Sequence, residues 1–188
     1  KTGKLGFVGG QEIPLIKKFY AGYAAGAKTA RPDVVILPAK YTGDWNNVDL
    51  AKAAANLLFD QGADIVYHAA GRAGLGVLDA AKEKGKFGIG VDGNQDGVAP
   101  GNVLTSMIKH VDEAVYSTIK DVKEGKFSTG EVVYDLKVGG VGLTDMEFTK
   151  DKVGEENLKK VEDIKAKIVA GELKVPSTLE ELAAYKPQ

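Results

Sequence analysis

Short apolar runs and longer amphipathic stretches follow one another through the first half of the chain. Residues 5–8 form an apolar run that ends at Gly9 and Gly10, which is typical of a buried strand. Pro14 then marks a predicted helix start, and apolar residues recur at three- and four-residue spacing as far as Ala27. The pattern predicts a strand followed by an amphipathic helix.

The same unit of strand and helix recurs further along the chain. Strands are predicted from residues 34–37 to an end near residues 41–43, at 64–68 and at 87–91, and helices at residues 50–59 and 76–84, closed by Gly62 and Gly85. The strands show no clean two-residue alternation, and helical stretches separate them, so we expect a parallel sheet covered on both faces. The predicted fold class is α/β, a doubly wound lobe.

The alternation changes after residue 100. Residues 102–108 predict a strand, residues 112–124 a long amphipathic helix and residues 132–138 a returning strand. Residues 157–170 and 179–185 predict two further helices, whose Lys and Glu content indicates a solvated outer face rather than a site.

Ligands bind outside the carboxyl ends of the strands in such sheets. The segments that follow the predicted strands are rich in glycine and polar side chains, at residues 9–11, 43–47, 68–72 and 92–95. We expect these segments to meet at one edge of the sheet and to form a binding site there. Its candidate contacts include Gly9, Gly10, His68, Gly71 and Asn94.

The composition excludes several classes of function. The 188 residues include 25 basic and 26 acidic side chains spread along the chain, which argues against a nucleic-acid partner. Cys is absent, so disulfides and thiolate metal sites are excluded, and no apolar run approaches the ~20 residues of a membrane helix. Because no leader precedes the first strand, we expect that a targeting segment was removed or that an upstream portion is missing.

Residues 71–76, of sequence GRAGLG, imitate a dinucleotide-binding fingerprint between a strand and a helix. Their spacing differs from that of the Rossmann turn, whose first two glycines are two apart and whose third follows three residues later. We interpret the segment as a flexible loop that presents backbone N–H groups at a helix start, where a neutral polar ligand can bind. Binding of NAD(P) is kept as an alternative.

Trp45 and Asp92 are the main candidates for ligand contacts. Trp45 is the only tryptophan and lies in a polar segment, where it either covers a ligand ring or packs as a lid on its own lobe. Asp92 follows the fourth predicted strand, and a carboxylate suits a vicinal diol such as a ribose because it accepts two hydrogen bonds at once. Asn94 and Gln95 supply amides beside it.

Catalytic and metal-binding patterns are not found in the sequence. His68 and His110 are the only histidines and have no carboxylate partners at metal-ligand spacing, so no metal is expected. His68 either lines a cleft or is held by a backbone carbonyl. Lys137 precedes a glycine pair, where it either reaches a ligand oxygen or is an exposed strand lysine. With no nucleophile elbow or phosphate loop, we expect a binding protein without a cofactor rather than an enzyme.

A series of short motifs resembles one protein family. The motifs are GFVGG at residues 6–10, GYAAG at 22–26, YTGDWN at 41–46, DQGAD at 60–64, HAAG at 68–71, GVD at 90–92, LTSM at 104–107 and GGVGL at 139–143. In this order they are similar to the basic membrane protein family, the PnrA-like purine-nucleoside-binding lipoproteins of bacterial ABC importers. The match runs through nearly the whole chain.

The resemblance implies a type I periplasmic-binding-protein fold, in which a ligand is clamped between two α/β lobes. The chain then corresponds to the second half of such a protein. Residues 1–108 are the carboxyl-terminal lobe, residues 109–131 a crossover and a helix that docks on the missing amino-terminal lobe, and residues 132–188 the return strand and terminal helices. On this basis the segment at residues 102–110 is interpreted as part of the crossover.

The resemblance also implies roles, partners and a location. Trp45 stacks on the purine where relatives often carry Phe, Asp92 holds the ribose, and Lys137 lines the same cleft, while Arg72 replaces a small residue of many relatives. The implied partners are a purine nucleoside, an ABC permease and the missing lobe or a second copy. The implied location is extracytoplasmic, lipid-anchored or periplasmic.

Other functions remain as alternatives. Because Trp also stacks on pyranoses, a receptor for a sugar, riboflavin or a furanone signal fits the same residues. A Rossmann-type NAD(P)-binding oxidoreductase is a second alternative. The third is an interaction module that dimerises through exposed apolar surface on the crossover face.

Overall fold

The structure is a computed structural model that describes residues 2–187. Lys1 and Gln188, which belong to the first and last predicted segments, lie outside the described residues. The elements are β1 Lys4–Gly9, α1 Pro14–Ala30, β2 Val35–Ile36, β3 Lys40–Tyr41, α2 Val48–Asp60, β4 Ile65–Ala69, α3 Leu75–Glu83, β5 Phe87–Asp92, β6 Val103–Lys109, α4 Val111–Lys123, β7 Val141–Leu143, α5 Lys150–Val153, α6 Glu155–Val169 and α7 Leu179–Ala184.

The strands form one mostly parallel sheet in the order β2, β1, β4, β5, β6 and β7. β3 also pairs with β1, near its carboxyl end, so β2 and β3 are two parts of one edge interrupted around Pro38. The chain proceeds from β1 to β2 in one direction and from β4 to β6 in the other, which is the doubly wound arrangement predicted. The direction changes between β1 and β4, and ligands bind at such a point in this fold class.

Helices cover both faces of this sheet. α2 and α3 pack on one face, where Leu58, Val66 and Val77 are fully buried. α1 packs on the other face through aromatic rings, with Phe7 5.4 Å from Tyr20 between centroids. α1, α2 and α3 begin and end close to the predicted positions. α2 and α3 end just before Gly62 and Gly85, which adopt the left-handed φ values, +93° and +60°, that glycine tolerates.

The strand predicted at residues 132–138 is wrong. These residues form an irregular segment, and the antiparallel partner of β6 is β7, which begins only at Val141. The reason is local: the Asp135 carboxylate accepts hydrogen bonds from the backbone N–H groups of Lys137 and Val138, at 3.0 and 3.2 Å, which bends the chain into a turn. β6, by contrast, is a strand as predicted and a full member of the lobe's sheet, paired with β5 as far as Asp92 and Ile108.

The predicted helix at residues 112–124 is confirmed as α4, and it presents an apolar face to solvent. None of its residues is buried. Val115, Tyr116, Ile119 and Val122 are each more than half exposed, at 52% to 66%. The charged tail helices are also confirmed: α6 has no buried residue, whereas α7 returns to α1, where the Tyr185 hydroxyl lies 2.6 Å from Thr29 Oγ1.

Candidate ligand-binding site

The parallel strands bring their carboxyl ends to one edge of the sheet, as the sequence predicted for β1, β3, β4 and β5, and β6 ends there as well. β1 ends at Gly9, β4 at Ala69, β5 at Asp92 and β6 at Lys109. The segment that carries Trp45 follows β3 at the same edge, since β3 runs parallel to β1. The edge therefore holds the Trp45 ring, the Asp92 carboxylate and the Lys109 ammonium group.

Trp45 is positioned by a tight turn and by contact with the end of β1. The Asp44 carboxylate accepts the N–H groups of Asn46 and Asn47, at 2.6 and 2.8 Å, and these bonds hold the pKa of Asp44 below its usual value. The Trp45 carbonyl accepts the N–H of Ala73 at 2.9 Å. The side chain remains 37% exposed. Trp45 therefore packs on its own lobe and remains partly exposed at the edge, while its contact with a ligand ring stays a prediction.

Gly9, Gly10 and Gly71 make room for protein rings. A Cβ on Gly10 would lie 2.3 Å from Trp45 Cε3, and one on Gly9 would lie 2.7 Å from Tyr41 Cδ1. The Gly10 N–H already donates to Ala69 O at 2.9 Å. These glycines shape the edge through the rings that they seat, and Gly71, at φ +57°, turns the chain beneath Trp45.

The interpretation of residues 71–76 as a flexible loop is wrong. Gly71–Gly74 is a 3-10 turn that leads directly into α3. A Cβ on Gly74 would lie 1.9 Å from His68 Nδ1, and one on Gly76 would lie 2.1 Å from the carbonyl oxygen of Val48 in α2. These two glycines therefore allow close packing against a side chain and a helix backbone.

Asp92 ends β5 in the left-handed region, at φ +69°, and is exposed. Its Oδ1 lies 2.9 Å from Lys109 Nζ at the end of β6, and that ammonium group lies 6.0 Å from the centroid of the Phe19 ring in α1. Sequence reasoning missed Lys109. Its place follows from the parallel pairing of β5 with β6, which sets Asp92 beside Ile108, the residue before Lys109, and which no local sequence pattern contains.

Lys137 and Asn94 are both exposed. Lys137 lies in the turn made by Asp135, so its description as a strand lysine is wrong. Asn94 uses its side-chain oxygen to accept the Asp96 N–H at 3.0 Å. It lines a shallow depression with Ile108 and Asp145, beside the edge that holds Asp92.

His68 does not line a cleft, because its side chain is fully buried. Its ring is also not held by a backbone carbonyl: Nε2 lies 2.9 Å from Gln95 Oε1, and Nδ1 has no hydrogen-bond partner among the described residues. Burial lowers the pKa of His68 to about 4, against the hydrogen bond to Gln95, which raises it. The folded protein therefore holds this imidazole neutral.

Acidification is expected to destabilise the fold through His68. The unfolded chain binds this proton near pH 6.5 and the folded chain only near pH 4, so the contribution is complete above pH 6.5 and is lost as the pH falls towards 4. At pH 5 the expected loss relative to pH 7 is about 2 kcal/mol. Urea unfolding at the two pH values measures it. The loss should shrink in His68→Asn and persist in His110→Asn; an equal loss in both variants would contradict the assignment.

Neither a metal site nor a membrane span is found in the part of the chain that the structure describes. Between residues 2 and 187, His, Asp and Glu side chains form no group of three or more that is arranged to hold a metal ion. Within the same range, none of the helices has the length and apolar character needed to cross a membrane.

Comparison with known proteins gives one consistent family. The model of the family described as Bmp, ABC transporter substrate-binding protein PnrA-like, matches residues 1–179. Basic membrane protein D of Borreliella burgdorferi (strain JD1) is 38% identical over 180 residues, which make up 94% of this chain and 52% of that protein. The CD4+ T-cell-stimulating antigen of Listeria monocytogenes is 37% identical over 193 residues, 94% of this chain and 53% of that protein. The chain spans about half the length of these curated relatives.

A solved structure agrees with the family match. The ABC transporter system solute-binding protein of Aeropyrum pernix K1 is similar with a TM-score of 0.83 at 30% identity, over 96% of this chain and 60% of that one. Both the family and this neighbour are solute-binding proteins, which confirms that the chain is not an enzyme and rejects the oxidoreductase alternative. The resemblance read from the motifs is also confirmed: the chain belongs to the Bmp family of PnrA-like ABC transporter substrate-binding proteins.

Proposed function

We propose that the chain forms one lobe of the binding protein of a bacterial ABC importer and contacts a purine nucleoside at the carboxyl edge of its sheet. The observation that carries the proposal is the shared edge: the exposed surface of Trp45 and the Asp92–Lys109 pair lie at strand ends on the same edge of the sheet. A flat apolar surface and a charged pair suit a ligand with an aromatic base and a diol.

The spacing of the strands supports one ligand touching both groups. The Trp45 ring lies over the end of β1, and β5, which ends at Asp92, is two strands away. Paired strands are about 4.8 Å apart and β4 and β5 are no longer paired at this edge, so the two groups stand at least roughly 10 Å apart, a separation comparable to the length of a nucleoside. Asp92 would accept the ribose hydroxyls, and Lys109 would donate to one of their oxygens.

Other predicted contacts keep a secondary place in the proposal. Asn94 is exposed beside this edge and is available to a ligand that extends beyond Asp92, and Lys137 is exposed in its turn, so its contact with the ligand stays a prediction. Gly9, Gly10 and Gly71 act through the rings packed on them. His68 would not contact the ligand itself, because its side chain is fully buried.

The opposing wall of the site comes from a second lobe in this proposal. The chain spans about half the length of its relatives, and the exposed apolar face of α4 is a surface on which an amino-terminal lobe, or a second copy, docks. A ligand that touches both walls favours the closed state by its differential affinity for that state, and the permease then recognises it. The proposed location is extracytoplasmic, by lipid anchor or in a periplasm.

Tryptophan fluorescence tests the proposal directly, because Trp45 is the only tryptophan. Adenosine and guanosine should each change its emission in a saturable way, since a base stacked on the ring alters its surroundings. Small molecules released by denaturing the purified protein should include a purine nucleoside on mass spectrometry. Saturation by a simple sugar or riboflavin, with no response to adenosine, would favour the corresponding alternative and reject the nucleoside.

A further inference from the structure

The sheet splits at its carboxyl edge between β4 and β5. These strands pair only from Ile65 with Phe87 to Tyr67 with Ile89, although β4 continues to Ala69 and β5 to Asp92. Beyond that point β4 stays paired with β1, up to Gly9 and Ala69. β5 stays paired with β6, up to Asp92 and Ile108. The last residues of β5 are therefore paired with β6 on one side, and on the other side no strand of the described chain is paired with them.

The side chain of Gln95 fills the split. Its Oε1 accepts the backbone N–H of Val91 in β5 at 2.9 Å and lies 2.9 Å from Nε2 of His68 in β4. An oxygen that accepts from Val91 also accepts from the imidazole, so Nε2 carries the hydrogen. The sequence had suggested that the Gln95 amide faces a ligand; instead it is directed into the protein, between the two strands.

Gln95 is also tied to the third strand of this region. Its backbone N–H donates to Ser106 Oγ in β6 at 3.0 Å, and the Ser106 hydroxyl donates to the buried carboxylate of Asp96 at 2.7 Å. Gly90 leaves the space that this arrangement needs, because a Cβ there would lie 2.5 Å from Ser106 Oγ and 2.8 Å from Gln95 Oε1. One residue thus connects β4, β5 and β6 immediately below the edge.

The bond from Gln95 to Val91 acts on Asp92, which is the next residue. Asp92 has the left-handed φ of +69°, which a residue other than glycine adopts at a cost of about 1–2 kcal/mol and keeps only when the surrounding structure holds it. Two hydrogen bonds hold this turn: the Gly93 N–H donates to the Val91 carbonyl oxygen at 2.9 Å across Asp92, and the Val91 N–H donates to Gln95, which closes residues 91–95 into a loop. The carboxylate is thereby directed to Lys109, at 2.9 Å.

We propose that Gln95, anchored by His68, is a positioning residue for Asp92: it holds β4 and β5 apart and sets the place of the ligand-binding carboxylate without touching the ligand. The role of Asp92 in ligand binding rests on the function proposed above. The positioning itself is a property of the unliganded chain and is measured separately.

Two variants of one length test the proposal. Gln95→Met removes the accepting oxygen and keeps the shape of the side chain, whereas Gln95→Glu keeps an oxygen that accepts from both Val91 and His68. In crystal structures of the unliganded chain, Gln95→Met should lose the left-handed φ of Asp92 and its contact with Lys109, and Gln95→Glu should retain both. Adenosine affinity, followed by Trp45 fluorescence, should fall about tenfold in Gln95→Met and stay within about threefold of the wild type in Gln95→Glu.

The outcomes separate this proposal from the proposed function. Retention of the Asp92 conformation and of the Lys109 contact in Gln95→Met would overturn the positioning role, whatever the ligand. A wild-type protein that gives no adenosine response with its second lobe present would instead count against the nucleoside and leave the structural comparison decisive. Should Gln95→Met fail to fold, His68→Leu, which removes the anchor of the Gln95 side chain and so frees it to leave Val91, should still shift Asp92 away from Lys109, and an unmoved Asp92 in that variant overturns the proposal.

Discussion

Asp92→Asn is expected to weaken the binding of adenosine about 30- to 100-fold, because hydrogen bonds to a charged acceptor contribute about 2–3 kcal/mol more than the neutral amide can replace. Asn adopts the left-handed backbone at least as readily as Asp, so the φ of +69° at this position is preserved. The ion pair with Lys109 is half exposed and adds little to stability. Titration followed by Trp45 fluorescence measures the effect, with urea unfolding as the check on the fold.

Asp60→Asn is the matched control. Asp60 is also an exposed carboxylate in an ion pair, 2.6 Å from Lys84, but it ends α2, and this helix end lies at the opposite edge of the sheet from its start beside Trp45. The control should leave adenosine affinity within about twofold of the wild type. Equal affinities for Asp92→Asn and the wild type would remove the carboxylate from the proposed site.

Gly76→Ala is expected to destabilise the fold by about 3 kcal/mol, because overpacking against backbone cannot be relieved by a rotamer change. The added Cβ would lie 2.1 Å from the Val48 carbonyl oxygen and 2.8 Å from the Lys52 nitrogen, both in the first turns of α2. α2 and α3 would have to separate where they start. Thermal unfolding should show a melting temperature lower by about 10 °C.

Gly26→Ala serves as the control of opposite sign. Gly26 is also inside a helix, α1, but it is exposed, and a Cβ there would meet no atom within 4 Å. Alanine should stabilise the chain by about 0.5–1 kcal/mol, because it loses less backbone entropy than glycine on forming a helix. A Gly76→Ala variant as stable as Gly26→Ala would show that the two helices are not in tight contact at this position.

Gly74 and Gly76 show how little a local sequence pattern says about the role of a glycine. Glycines at residues 71, 74 and 76 invite comparison with a phosphate-binding turn, and spacing alone argued against it. Their physical role depends on atoms that are distant in sequence, the carbonyl of Val48 and the ring of His68. No window of the sequence contains both partners of such a contact.

The strand predicted at residues 132–138 failed for a different reason. The segment is rich in β-branched residues, which favour strands, but the Asp135 carboxylate bonds to the backbone two and three residues later and forms a turn. The nearby β7, only three residues long, is a strand because the edge of β6 is available to it. At residues 132–138 a local hydrogen bond outweighed the strand propensity. At β7 the pairing with β6 decided that a strand forms.

The sequence by itself determined the α/β class, the positions of β1, β4, β5 and their helices, and the presence of Trp45 and Asp92 at strand ends, because these follow from periodicity and from residues near one another in the chain. Only the tertiary structure decided which groups act together. Lys109 faces Asp92, Gln95 turns inward between β4 and β5, and His68 is buried, because each contact joins different strands whose order and separation the local pattern does not contain.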